Sequence, residues 1–176
     1  MKNFLFIVII MINLPFFTHA KYEKLAYEFS FQGIEGKEIH FKNYQDKVIL
    51  IVNVASRCGF TNQYKDLQAL WNNYKNKGLV VVGIPTNNFK QEPENNEEIK
   101  KFCTTNFGIN FPMTEKLQVL GANAHPFYKW AKKNHGLGAV PKWNFHKIII
   151  NKKGEIAHTF SSITNPSSKK FLKSIE

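Results

Sequence analysis

Two short runs of aliphatic residues mark the centre of the predicted fold. Val48–Val54 and Leu79–Ile84 are almost entirely apolar and rich in β-branched residues, with no regular polar alternation. Such runs are typical of strands that are buried on both faces of a sheet. Between them, the sequence predicts a helix that is capped by Thr61 or Asn62 and ends at Lys75. The apolar face of this helix is predicted to consist of Leu67, Leu70, Trp71 and Tyr74.

Further strands and helices flank this central unit in the sequence. Polar, glycine-containing turns predict two hairpins, which pair Tyr27–Phe31 with Glu38–Phe41 and Lys147–Asn151 with Glu155–Phe160. Three more helices are predicted from Asn96 to about Asn106, over Ala124–Asn134 and onward from a cap at Asn165-Pro166. Short buried strands that alternate with helices indicate an α/β protein. Its central mixed β-sheet would be flanked by helices and preceded by an N-terminal β-hairpin.

The first 20 residues have the layout of a secretory signal peptide. A positive start at Lys2 is followed by an apolar run over Phe4–Phe17 and by the small-residue ending Thr18-His19-Ala20. We expect cleavage after Ala20, which leaves 21–176 as a single domain and predicts export to a periplasm or out of the cell. The apolar run is shorter than the roughly 20 residues of a membrane span, and an uncleaved anchor is the alternative.

The charge of the chain is strongly positive but includes almost no arginine. Lysine and arginine total 24 against 13 acidic residues, a formal charge of +11, and Arg57 is the only arginine. Proteins that bind nucleic acids mostly use arginine for bidentate base and phosphate contacts, so we expect no nucleic-acid partner. The scattered lysines predict a solvated surface that an anionic membrane could still attract.

The sequence offers no set of ligands for a metal or a large cofactor. Its 2 cysteines and 6 histidines show no metal-ligand spacing, and no glycine-rich phosphate loop is present. We therefore expect neither a metal nor a bound cofactor. Apolar residues make up 43% of the chain, which indicates a globular domain with its own core rather than a disulfide-rich miniprotein.

Cys58 occupies the position that the predicted fold favours for chemistry. It follows the first buried strand and precedes a predicted helix. Functional groups of open α/β sheets lie at the carboxyl ends of the strands, and backbone N–H groups at a helix start favour a negative charge. Both features suit a thiolate nucleophile, and Arg57 would add a positive charge if its side chain turned inward. A strand that leads through a cysteine-bearing turn into a helix indicates a thioredoxin-like arrangement.

Three segments around this arrangement resemble the signature motifs of glutathione peroxidases. They read Asn-Val-Ala-Ser-Arg-Cys-Gly-Phe-Thr at 53–61, Asn-Asn-Phe-Lys-Gln-Glu-Pro at 87–93 and Lys-Trp-Asn-Phe at 142–145. The resemblance extends from about Tyr22 to Ile175. It implies a thioredoxin-like fold and an antioxidant enzyme that reduces hydrogen peroxide or organic hydroperoxides. Cysteine stands here in the place of the selenocysteine of many members.

The resemblance also implies roles for individual residues. Cys58 would attack the peroxide, while Gln91, Trp143 and Asn144 would stabilise the developing charge as uncharged hydrogen-bond donors. Cys103 matches the resolving cysteine of the thioredoxin-dependent branch, in which the sulfenic acid becomes an internal disulfide that a dithiol protein reduces. Because Cys103 falls within a predicted helix, that helix would have to unwind in part. Its polar C-terminal flank predicts a weakly held end.

The chain departs from the family pattern in ways that bear on its reductant. A third cysteine that is common before the second motif is absent at Pro85-Thr86-Asn87, and an arginine that is common in the last strand is His158. The segment over 115–143 also lacks the insertion of tetrameric members. These departures favour a monomer with a thioredoxin-like reductant over one that uses glutathione. Two alternatives stay open: a peroxide sensor that passes its disulfide to a partner protein, and a non-catalytic domain with a structural Cys58–Cys103 disulfide.

Overall fold

The fold is built around a mixed β-sheet with helices on both faces. The computed structural model describes residues 22–175, so the predicted signal segment 1–20 lies outside the described residues. The strands are β1 (Ser30–Gln32), β2 (Glu38–His40), β3 (Val48–Val54), β4 (Leu79–Pro85), β5 (Lys147–Ile150) and β6 (Ile156–Phe160). The α-helices are α1 (Gln63–Tyr74), α2 (Asn96–Phe107), α3 (Pro126–His135) and α4 (Lys169–Leu172). The predicted α/β class and the N-terminal hairpin of β1 with β2 are confirmed.

The order of strands in the main sheet is β4-β3-β5-β6. β3 and β4 are parallel, from Val48 opposite Leu79 to Val54 opposite Pro85. β5 runs antiparallel to β3, and β6 runs antiparallel to β5. Because of these directions, the chain leaves β3 and β4 and enters β5 at the same edge of the sheet. We call this edge the carboxyl edge of β3.

β3 is buried on both faces, as its unbroken apolar run predicts. Ile49 and Ile51 belong to one core cluster, while Leu50 and Val52 belong to another, as expected from the two-residue period of a strand. The first cluster contains Phe127 of α3. The second cluster is covered by the other three helices, through Leu67 of α1, Ile99 of α2 and Phe171 of α4. Two layers of helices therefore hold the sheet between them.

Two helix starts differ from the predicted ones because local side chains bond elsewhere. Neither Thr61 nor Asn62 caps α1, which begins with no side-chain hydrogen bond at its N-terminus. The Thr61 hydroxyl is bonded inside the turn that contains Cys58. α4 begins after Ser168, whose hydroxyl accepts a hydrogen bond from a backbone N–H of the helix, and not at Asn165-Pro166.

Neither a spanning helix nor a metal cluster occurs in the described part of the chain. Within 22–175, no helix has both the length and the apolar character needed to cross a bilayer. Over the same residues, no three histidine, cysteine or acidic side chains are grouped so that they could hold a metal ion.

Candidate active site

Three loop segments meet at the carboxyl edge of β3. The cysteine turn (55–61) follows β3, the glutamine loop (86–95) follows β4, and the tryptophan segment (142–146) precedes β5. Each contains part of the predicted site: Cys58, Gln91, and Trp143 with Asn144, respectively. Residues that are far apart in the sequence are thus placed together by the directions of β3, β4 and β5.

Gln91 connects all three segments. Its backbone carbonyl accepts a hydrogen bond from the N–H of Arg57 at 3.1 Å, next to Cys58. Its side-chain oxygen accepts a hydrogen bond from the Asn144 amide at 3.0 Å. Because Asn144 occupies that oxygen, the amide nitrogen of Gln91 is left as a donor. Gln91 and Asn144 are therefore brought together beside the cysteine turn, as the resemblance implies.

Asn53, in β3, holds the tryptophan segment in place. Its side-chain amide donates to the carbonyl of Trp143 at 3.1 Å, and its own carbonyl accepts from the N–H of Phe145 at 2.6 Å. Asn144, between these two residues, is fully buried. The Trp143 side chain is 41% exposed and packs against the ring of Phe89, with centroids 5.4 Å apart. An indole at this boundary has one face on protein and an N–H group available as a donor.

The Cys58 thiol is almost buried in a self-bonded turn. The residue is 8% exposed, and its sulfur accepts a hydrogen bond from the N–H of Phe60 at 3.4 Å. The N–H of Cys58 donates to the Thr61 hydroxyl, which donates to the Ala55 carbonyl, each at 3.0 Å. The N–H groups of 63–65 bond to carbonyls within the preceding turn. The backbone donor that reaches the sulfur therefore comes from the turn, and not from the first residues of α1.

Strained backbone flanks two of the predicted site residues. Lys90, before Gln91, has φ 57°, and Phe145, after Asn144, has φ 62°. Residues other than glycine rarely adopt this left-handed region, which costs about 1–2 kcal/mol for most side chains. Such conformations persist where the surrounding structure enforces them, and they are common at functional sites. Here Lys90 and Phe145 adjoin the two residues that the Asn144–Gln91 hydrogen bond joins.

The Arg57 side chain does not turn inward toward the Cys58 thiol. Its side chain is mainly exposed and forms an ion pair with Glu94 in the glutamine loop. The positive charge is therefore used between two loops at the surface. The donor that the structure places on the Cys58 sulfur is the uncharged backbone N–H of Phe60.

Cys103 lies on a different element from the other four residues. It is in α2, 1% exposed, and belongs to the same core cluster as Cys58. Both cysteines are free thiols. Burial chiefly raises the pKa of Cys103 to about 11, and the Tyr64 hydroxyl opposes that shift. As a protonated and buried thiol, Cys103 is shielded from peroxide in this conformation.

Both ends of α2 are closed by hydrogen bonds. Asn95 caps the N-terminus by accepting from the N–H of Glu98 at 2.9 Å. At the C-terminus, Gly108 has φ 61°, and the N–H groups of Gly108 and Ile109 bond to carbonyls of the last turns. This arrangement is typical of a glycine-terminated helix. Any opening of α2 that exposes Cys103 has to break these bonds, and the expectation of a weakly held helix end stays a prediction.

Glu92 is a prominent residue of the site to which the sequence pattern gives no role. This residue is fully buried, and one carboxylate oxygen accepts hydrogen bonds from the N–H and the hydroxyl of Ser56, at 2.8 and 2.9 Å. The bonds connect the glutamine loop to the cysteine turn. A glutamate next to Gln91 in a predicted loop carries no signal of burial in the sequence, since most glutamates are exposed.

Comparisons with known proteins agree with this geometry. The sequence model of the glutathione peroxidase family matches residues 26–132. The chain is 44% identical over 152 residues to the glutathione peroxidase-like peroxiredoxin HYR1 of Saccharomyces cerevisiae, with 81% of this chain and 93% of the relative covered. It is 40% identical over 156 residues to the hydroperoxy fatty acid reductase gpx1 of Synechocystis, which covers 84% of this chain and 92% of the relative.

Comparison with solved structures shows that this fold occurs in related and in more distant proteins. The crystal structure of T. cruzi GPX1 is 31% identical and superposes with a TM-score of 0.66, over 86% of this chain and 94% of that chain. A thioredoxin family protein from Chlorobium tepidum, only 15% identical, superposes with a TM-score of 0.64 over 84% of this chain and 92% of that chain, which shows the fold alone. The sheet order, the three loop segments and these similarities together show that the chain belongs to the glutathione peroxidase family.

Proposed function

We propose that this protein is a thiol peroxidase that reduces hydroperoxides through Cys58, with Gln91, Trp143 and Asn144 as supporting residues. The observation that carries the proposal is the convergence of the three loop segments. The Gln91–Asn144 hydrogen bond of 3.0 Å and the Arg57–Gln91 backbone bond of 3.1 Å place two uncharged amides beside the cysteine turn. Donors of this kind stabilise developing negative charge without a change in their own protonation.

The first step is nucleophilic substitution at a peroxide oxygen. The Cys58 thiolate attacks one oxygen of the hydroperoxide, an S–O bond forms and the O–O bond breaks. The leaving oxygen takes up a proton and departs as water or as an alcohol, while the sulfur is oxidised to a sulfenic acid. The amide nitrogen of Gln91 and the indole N–H of Trp143 are the donors that would stabilise the thiolate and the leaving oxygen.

The second step uses Cys103 to make an internal disulfide. Its sulfur attacks the Cys58 sulfur, the S–S bond forms, and the hydroxyl of the sulfenic acid leaves as water. Cys103 lies on α2, so α2 must open before the two Cα atoms can come within the roughly 7 Å that a disulfide requires. Only Ile99 and Cys103 of this 12-residue helix are buried, which supports local opening.

A thioredoxin-like dithiol protein is the proposed reductant of that disulfide. Relatives from Saccharomyces cerevisiae and Schizosaccharomyces pombe are named glutathione peroxidase-like peroxiredoxins. The test is peroxide consumption by the protein with thioredoxin and its reductase, compared with glutathione and its reductase. We expect turnover with thioredoxin that is lost in Cys58→Ser and in Cys103→Ser. Turnover with glutathione that survives Cys103→Ser would contradict this part of the proposal, and an intact Cys58→Ser activity would contradict all of it.

The surface beside Trp143 supports organic hydroperoxides as substrates. A cavity of about 270 Å³ adjoins this residue, and its lining includes the 72% exposed Leu137. A relative from Synechocystis is named a hydroperoxy fatty acid reductase. We propose that a monomer with this open cavity accepts fatty-acyl hydroperoxides. Its formal charge, +11 for the full sequence and +10 once Lys2 is lost with the segment 1–20, favours anionic membranes. Equal rates on hydrogen peroxide and on lipid hydroperoxides in anionic vesicles would contradict the proposal, as would a dimer or larger species in light scattering.

Export through the segment 1–20 is the remaining part of the proposal. Its support is the sequence pattern of a positive start, an apolar run and a small-residue ending. N-terminal sequencing of protein from the secreted or periplasmic fraction is expected to begin at Lys21. Full-length protein that stays in the membrane fraction would indicate an uncleaved anchor instead.

A further inference from the structure

A fully buried lysine lies on the same side of the sheet as Cys58. Lys147, the first residue of β5, stands opposite Val52 of β3, and residues directly opposite each other in an antiparallel pair point to the same face. Val52 and Cys58 belong to one core cluster, so the Lys147 side chain enters that cluster's side of the sheet. No carboxylate among residues 22–175 forms an ion pair with it. Because lysines are almost never fully buried unless they are paired, Lys147 needs other partners.

Three oxygen atoms accept hydrogen bonds from this lysine. Its Nζ donates to the side-chain oxygen of Gln63 at 2.5 Å, to the carbonyl of Thr164 at 2.7 Å and to the carbonyl of Ser162 at 3.4 Å. The amide nitrogen of Gln63 donates to the same Ser162 carbonyl at 2.6 Å. An ammonium group has three donors, so these three acceptors satisfy it completely. Lys147 therefore joins the start of α1 to the segment that follows β6.

Two further hydrogen bonds lead from Gln63 to the thiol. The N–H of Gln63 donates to the Phe60 carbonyl at 2.9 Å, and the N–H of Phe60 donates to the Cys58 sulfur at 3.4 Å. α1 has no side-chain cap at its N-terminus, and helix ends fray where their backbone groups lack such partners. The buried hydrogen bond from Lys147 to Gln63 holds the first residue of α1 in the absence of a cap.

We propose that Lys147 is a positioning residue for Cys58. Through Gln63 it fixes the start of α1, which in turn holds the Phe60 N–H on the sulfur. This inference rests on the proposed function, in which Cys58 attacks the peroxide as a thiolate. A backbone donor that is held on the sulfur favours the charged form of the thiol and needs no reorganisation when the reaction begins. Lys147 itself touches neither the sulfur nor the substrate in this role.

The variant that tests the proposal is Lys147→Met, which keeps an unbranched side chain and removes its donors. In stopped-flow kinetics at neutral pH, we expect Cys58 oxidation by hydrogen peroxide to slow by about fivefold, the effect of one hydrogen bond. The pH profile of Cys58 alkylation, followed by mass spectrometry, should move by about 0.7 pH unit to higher pH, because the same donor stabilises the thiolate. A purely structural lysine would change neither quantity.

The partner variant Gln63→Met tests the proposed route. It removes the acceptor on α1 and leaves the bonds from Lys147 to the two backbone carbonyls in place. It should also slow Cys58 oxidation by about fivefold. If Lys147 acts through Gln63, the double variant should be within about twofold of either single variant. Independent effects would multiply to about 25-fold, and that result would overturn the route.

Two controls separate positioning from a general loss of stability. Gly154→Ala strains the turn between β5 and β6, because its Cβ would lie 2.8 Å from the Tyr27 ring. It should destabilise the protein and leave the rate of Cys58 oxidation unchanged. Lys152→Met removes an exposed lysine of the same turn and should change neither the stability nor the rate.

The inference is overturned if Lys147→Met keeps the wild-type oxidation rate and alkylation profile, whatever its stability. It is also overturned if Gly154→Ala slows oxidation as much as Lys147→Met does. If Lys147→Met does not fold, a wild-type rate in Gln63→Met overturns it. A wild-type Cys58 that does not react with peroxide would instead refute the proposed function.

Discussion

If the proposed release of Cys103 requires α2 to open, removal of the N-terminal cap of α2 should accelerate disulfide formation. In Asn95→Ala the hydrogen bond of 2.9 Å from the N–H of Glu98 is lost. Loss of an asparagine cap costs about 1 kcal/mol of helix stability, which is about a fivefold increase in the open population. If α2 opens and closes faster than the sulfur atoms react, the rate of disulfide formation rises by the same factor.

The assay is the time course of thiol loss after one equivalent of peroxide. Cys58 oxidation should be unchanged, and loss of the Cys103 thiol should be about five times faster. Asn95→Asp keeps a capping oxygen and should behave like the wild type. Ser168→Ala removes the corresponding cap of α4 and serves as a matched control. If hydrogen exchange shows that α2 is loosened in Asn95→Ala while disulfide formation is not faster, opening of α2 does not limit the step.

Three other substitutions test separate parts of the structure. Trp143→Phe removes the indole N–H and should slow Cys58 oxidation by about 100-fold in stopped-flow kinetics, the usual cost of one transition-state donor; an unchanged rate would refute its role. Gly154 has φ 80°, and the Cβ of an alanine there would lie 2.8 Å from the Tyr27 ring. Gly154→Ala should therefore lower the free energy of unfolding, measured in urea, by about 2–3 kcal/mol. Gly121→Ala has the same φ but open space around the Cβ, and should lower it by only about 1 kcal/mol. Burial lowers the pKa of Lys147 to about 7 in the folded protein. Above that pH the unfolded chain binds more protons than the folded protein, so stability increases with pH. The free energy of unfolding should rise by about 1 kcal/mol per pH unit from about pH 7 to 8.5. Lys147→Met should abolish that rise, and an equally steep slope in the variant would contradict the assignment.

The sheet and its carboxyl edge were predictable because their signals are local. Val48–Val54 is a strand with the predicted bounds, since a continuous β-branched run is buried wherever helices cover both faces. The position of Cys58 after that strand follows directly from the sequence order. The proximity of Gln91 and Asn144 was implied only by the family resemblance. No local sequence pattern predicts that the end of β4 and the start of β5 lie side by side in the sheet.

The features that were missed depend on tertiary partners. The sequence predicts Thr61 as a helix cap, yet its hydroxyl accepts a hydrogen bond from the Cys58 N–H and donates one to the Ala55 carbonyl. Arg57 could face either way, and its direction is set by Glu94 across the loops. Glu92 is buried where Ser56, in another segment, supplies two donors to its carboxylate. In each case the deciding contact joins residues whose relation is fixed only once the fold has formed.

The most direct test of the two-cysteine mechanism is the mass and thiol content of the protein after one equivalent of hydroperoxide. The wild type is expected to lose two hydrogen atoms and both thiols, and peptide mapping should show a Cys58–Cys103 disulfide. Cys103→Ser should stop at Cys58 with one added oxygen atom, and Cys58→Ser should not react. A wild-type protein that retains the Cys103 thiol while Cys58 is oxidised and turned over would contradict the account.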